Sequence, residues 1–138
     1  MTGPEAILSA AKAALTGVTG VQDSAVYRSR AVALMREEVP ALILEPVSAS
    51  GQRGATNRQD WELNFQVSII VRDNTADTAS SAIAESVVDK IMNDSALNAL
   101  VVDLLPSAID WEFASADVPL TVQRITFIAK YSTAALAI

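Results

Sequence analysis

The sequence predicts an α+β fold: a mostly antiparallel β-sheet of four to five strands with two main helices packed on one face. The first observation behind this is the stretch 60–73, where Trp61, Leu63, Phe65, Val67, Ile69 and Val71 fall on every second position. Glu62, Asn64, Gln66, Ser68 and Arg72 fall between them, so a strand here buries one face and wets the other. A strand covered on one side belongs to an antiparallel sheet, and a slip of one residue would put Trp61 and Phe65 in water. The second observation is helical spacing of apolar residues over about 3–16 and 77–92. The third is the element order. One helix, three strands, a second helix with a short satellite and two further strands form groups rather than an alternating βαβ series.

Taken in order, Thr2-Gly3-Pro4-Glu5 has the composition of a helix start, with Thr2 as cap and Pro4 in the first turn. Ala6, Ile7, Ala10, Ala11, Ala14 and Leu15 form a stripe of small residues suited to close packing, and Gly17 marks the stop. Residues 25–28 form a short edge strand, and 30–38 read as a loop with at most one helical turn, closed by Val39-Pro40. Residues 41–47 form an interior strand that Pro46 ends. The polar run 48–58 is expected as a connection longer than a minimal hairpin, either mobile or ordered by a partner.

After the central strand, Ile83, Val87, Val88, Ile91 and Met92 stripe the second helix. Asn93-Asp94-Ser95 caps a short helical piece that Leu104-Leu105-Pro106 closes. Ile109, Trp111 and Phe113 then alternate with Asp110 and Glu112 in a strand whose apolar side should face the core. A last strand over 120–132 puts Ile125, Phe127, Ala129 and Tyr131 on one face, and the uncharged residues 133–138 extend beyond it. All 138 residues are expected to form one domain.

Composition narrows the chemistry. The chain has neither cysteine nor histidine, which removes disulfides, thiolate zinc sites, cysteine nucleophiles and the commonest general base. The net charge of −6 comes from 10 basic and 16 acidic residues, with no dense Lys/Arg cluster, and so argues against a general nucleic-acid binder. No apolar run suits a membrane span and no basic n-region precedes an apolar stretch, so the expectation is a soluble protein, intracellular at synthesis. No catalytic residue, cofactor or metal ligand set is expected.

Five features bear on function. Asp110 and Glu112 share a strand face and read as solvated polarity rather than a cation site. Gly51-Gln52-Arg53-Gly54 is followed by a strand instead of the helix a phosphate loop requires, which leaves a flexible hairpin or a protein-contact loop. Arg28 and Arg30 read as surface charge that discourages edge pairing or as an intersubunit contact. Trp61 and Trp111 are expected in the core, with an interface as the alternative for one of them. The apolar 133–138 segment is expected to pack on its own domain or on a neighbouring copy.

Several of these runs carry a likeness. Val26-Tyr-Arg-Ser29, the strand Val39-Pro-Ala-Leu-Ile-Leu-Glu-Pro46, the polar segment after it and Trp61-Glu-Leu-Asn-Phe-Gln-Val67 resemble tail terminator proteins of long-tailed bacteriophages, also called minor tail or tail completion proteins. Downstream, Asp94-Ser-Ala-Leu-Asn-Ala-Leu100, Asp110-Trp-Glu-Phe113 and the final strand ending Ala129-Lys-Tyr-Ser132 follow the same order, so the resemblance spans about residues 5–132. It is one of pattern, without an invariant motif. It implies a homo-oligomeric ring, hexameric in that family, on the head-proximal end of the virion tail and assembled in the host cytoplasm. Its partners would be the tail tube protein and the head-tail connector, with no membrane and no sequence-specific nucleic acid. Under that reading Arg28 and Arg30 belong to one self-association patch, and Gln52, Arg53 and Arg58 lie on a loop facing the tube, the ring lumen or a neighbour. The competing readings are another head-tail joining protein, a small ligand-binding regulatory domain with a ferredoxin-like sheet and, least favoured, an enzyme.

Overall fold

The computed structural model describes residues 2–22, 25–28, 40–55, 57–72, 76–114 and 120–134. Helix α1 covers Gly3–Ala14. It is followed by β1 (Val26–Arg28), β2 (Ala41–Arg53), β3 (Arg58–Arg72), α2 (Ala76–Met92), α3 (Ser95–Leu100), β4 (Asp103–Ala114) and β5 (Leu120–Ala134). The five strands form one sheet in the order β1-β2-β3-β5-β4. β1 runs parallel to β2, and every other neighbouring pair is antiparallel. The sheet is therefore mixed and mostly antiparallel, with the two main helices against one face, as the periodicity predicts.

Local chemistry sets the element ends. The Thr2 hydroxyl accepts from the Glu5 backbone N–H at 3.3 Å, which satisfies one of the free donors at the start of α1. Asp94 does the same for α3, accepting from the Leu97 N–H at 2.9 Å, and Leu97 is fully buried. The stripe on α1 buries Ile7, Leu8, Ala11 and Ala14.

β3 is the centre of the sheet. Leu63, Phe65, Val67, Ile69 and Val71 lie beneath the helices, all at 2% exposure or less. Their partners on β5 include Phe127, whose ring stacks on Phe65 with centroids 5.3 Å apart and planes 16° apart. The opposite face of the same strands mixes polar residues with the half-buried Ile43, Ile70, Val122 and Ile128. There the Gln66 amide donates to Glu45 at 2.8 Å and the Asn64 amide donates to Ser48 at 3.1 Å.

Three expectations are corrected. The run 48–58 is not a long loop, because β2 continues to Arg53 and pairs with β3 down to Gln59. Backbone pairing holds this arm, so its small polar side chains give no hydrophobic signal. The hairpin closes through the Gly54 N–H donating to Arg58 O at 3.0 Å, with Asn57 at φ 62. Pro46 does not end β2 but sits at a register shift within it. Likewise Leu104-Leu105-Pro106 do not close α3. They open β4, and Pro106 sits at that strand's own register shift. Both prolines occupy strands whose outer edges are free at those points among the described residues.

Candidate functional site: the two margins of the sheet

A fourth correction defines the site. Ile109, Trp111 and Phe113 were expected in the core, yet they are 47%, 49% and 66% exposed. They do share one face, and it is the helix side, since Trp111 pairs with Gln123, which lies with Ile125 and Phe127 beneath the helices. α2 lies over β3 and β5 and barely reaches β4. α1 packs at the other margin, against β1 and β2, so neither main helix is centred over β4. The outermost strand therefore projects beyond them. Trp111 and Phe113 line a shallow concavity with Thr78 and Ser81 of α2, and Ile109 lines a second one with Ala84, Val88 and Met92. Trp61 differs from Trp111: it is half-buried against the core, and its indole N–H donates to the Thr133 hydroxyl at 3.1 Å.

On the other face of β4, Arg124 of β5 holds both carboxylates, at 2.6 Å to Glu112 and 3.4 Å to Asp110. The hydrogen bond to Glu112 raises the Arg124 pKa above its ordinary value, with partial burial opposing and Asp110 assisting. The pair expected as solvated polarity is thus an exposed ion-pair cluster.

At the opposite margin, β1 covers β2 only from Leu42 to Leu44. Beyond that the outer edge of β2 is free among the described residues, and it carries the exposed Val47. Gln52 and Arg53 end this strand, both exposed, and Arg58 opens β3. The Arg58 guanidinium grips Asp60 through two contacts, at 3.0 and 3.3 Å, and the Ser132 hydroxyl donates to the same carboxylate at 2.8 Å. An open concavity of about 550 Å³ lies along this arm, lined by Gln52, Arg58, Asp60 and Lys130 among others. Gly51 is required there. A Cβ at this position would stand 2.8 Å from the Trp61 ring and 2.7 Å from Gln59, so glycine lets the indole lie across its cross-strand partner.

Arg28 sits on β1 and makes a two-pronged ion pair with Glu5 of α1, at 2.9 and 3.2 Å. The hydrogen bond from Arg28, then its charge, holds the Glu5 carboxyl below the usual carboxylate range. The arrangement ties the edge strand to the helix layer. Arg30 and residues 135–138 lie outside the described residues. Of the sequence-derived contact candidates, the fold brings Gln52, Arg53 and Arg58 together at the tip of one hairpin and places Arg28 elsewhere, on β1 beside α1. The exposed row on β4 was missed. Its exposure follows from where the helices pack, α1 against β1 and β2 and α2 over β3 and β5, which an alternating pattern does not record.

No protein-family model matches the chain, and a search of curated proteins finds no significant match.

Proposed function

We propose that this chain is a structural subunit of a phage or prophage tail: a terminator that assembles into a ring, hexameric as the resemblance implies, on the finished tail tube. In that role it stops tube polymerisation and offers its other face to the head-tail connector. The observation that carries the reading is the exposed Ile109-Trp111-Phe113 row, together with the internal pairing of nearby charge. Arg124 is spent on Asp110 and Glu112, Arg58 on Asp60, and Arg28 on Glu5. Apolar side chains left in water beside carboxylates that Arg124 already engages suit protein contact better than small-molecule chemistry. The proposed role is therefore assembly rather than catalysis, in the virion and, during morphogenesis, in the host cytoplasm.

Electron microscopy of particles lacking this one gene tests the reading. Filled heads without tails, beside tubes of abnormal and variable length, are expected. Normal-length tails that fail to attach would move the assignment to a head-tail joining protein. Normal-length tails on heads would overturn it.

A further inference from the structure

The sheet register decides which parts of its two outer strands lie level. Trp111 on β4 is partnered by Gln123, Gln123 by Ile69, Ile69 by Leu42, and Leu42 by Val26 on β1. Two residues back, Ile109 reaches Arg28 in the same way through Ile125, Val67 and Leu44. Both register shifts, at Pro46/Ser48 and Pro106/Ala108, fall outside these rungs. The exposed row and β1 therefore stand at one height on opposite margins, and Trp111 and Val26 point to the same, helix-bearing face. We infer that these margins meet between copies: the Ile109–Trp111 stretch of β4 docks against β1 and α1 of the next copy. The neighbour's α1 then occupies the place over β4 that this chain's own helices leave open.

Direction, shape and charge fit a second copy as the occupant. β1 is parallel to β2, and β2–β3, β3–β5 and β5–β4 are each antiparallel, so β1 and β4 of one copy point in opposite directions. A rotation about an axis along the strands changes neither height nor direction. It therefore sets β4 antiparallel to the neighbour's β1 at matching rungs, and both outer edges are free among the described residues. On the helix side of β1, a concavity of about 440 Å³ opens between Val26 and the small Ser9, Ala13 and Thr16 of α1. It lies on the face from which Trp111 projects, and large side chains on one margin meet small ones on the other. The concavity that Ile109 lines is rimmed by Glu85 and Asp89 and by no basic residue, whereas the one beside β1 carries the exposed Lys12. Arg28 keeps Glu5, and Arg124 keeps Asp110 and Glu112, in this arrangement.

A contact between two different patches is heterologous: it propagates head to tail, and it closes into a ring when the rotation per copy divides a full turn. The inference rests on the proposed ring for that closure, but the purified chain alone tests the contact. Two variants disable one margin each: Trp111→Glu on β4, and Ser9→Gln with Lys12→Glu on α1, which fills the concavity and reverses its charge. All three side chains are exposed, so both proteins should keep the wild-type circular dichroism and melt within a few degrees of it. In sedimentation, the wild type should form higher oligomers. Trp111→Glu should associate about thirtyfold more weakly, the scale of an interface hot spot, and the α1 variant about tenfold. An equimolar mixture should form a 1:1 dimer and stop there, because each copy retains one working margin. A wild type that stays monomeric, either variant assembling as the wild type does, or a mixture that fails to pair would overturn the inference. Tube length in the gene-deletion experiment is read separately. A chain that ends tubes while failing this test would lose only the β4-to-β1 contact.

Discussion

β3 and β4 are written in nearly the same alphabet and end in opposite surroundings. Each alternates apolar with polar residues and sets aromatics two positions from aliphatics: Leu63-Phe65-Val67 in one, Ile109-Trp111-Phe113 in the other. In β3 those side chains are sealed beneath the helices, and in β4 about half of each remains in water. Alternation reports which residues share a face. What covers that face depends on the position of the strand in the sheet and on the width of the layer above it. β3 is third of five and lies under α2, whereas β4 is last and lies beyond it. An apolar face that the described residues of its own chain leave uncovered is where another chain gains most by docking.

The largest expected contrast comes from truncating one aromatic in each strand. Phe65→Ala removes a fully buried ring stacked on Phe127 and should cost about 3–5 kcal/mol of unfolding free energy in urea titration. Trp111→Ala should change the same titration by less than about 1 kcal/mol while weakening self-association. Equal losses of stability at the two sites would erase the distinction between core and margin. Between these extremes stands Trp61, half-buried on the arm. Gly51→Val drives a branched side chain into its ring and should cost about 1–3 kcal/mol, with a shift in Trp61 fluorescence. Asp94→Ala removes the α3 cap, just ahead of β4, and should cost about 1 kcal/mol in thermal unfolding.

The smallest effect concerns the other margin. Because Glu5 has its pKa lowered in the folded state, the Arg28 ion pair stabilises the fold at pH above the ordinary carboxylate range. That contribution is lost as pH falls through the lowered value. Arg28→Ala should move the Glu5 carboxyl titration upward in an NMR pH series and leave neutral-pH stability almost unchanged, as expected for an exposed pair.

Much of the fold was legible because local signals agreed. Thr2 and Asp94 were readable as caps, the stripe of α1 as its buried side, and the faces of β3 and β5 from period-two spacing. The distal arm of β2 was not, since Ser48 to Arg53 are held by backbone hydrogen bonds to β3 and bear almost no apolar signature. Prolines misled twice. Pro46 and Pro106 read as stops, yet register shifts accommodate them on strands whose outer edges are free there among the described residues. The hairpin-tip grouping of Gln52, Arg53 and Arg58 followed from their closeness in sequence. The β4 row was hidden because no single strand's pattern records how far a helix layer extends.

The central claim, that the β4 row is water-exposed in one copy and covered by another, is tested most directly on the two tryptophans themselves. In a Trp61→Phe protein the remaining emission comes from Trp111, and its quenching by acrylamide can be followed from dilute to concentrated solution. The account predicts strong quenching at dilution that falls severalfold, with a blue shift, over the concentrations at which the protein sediments as an oligomer. Quenching that stays equally strong in the assembled protein would place Trp111 outside the contact and contradict the account.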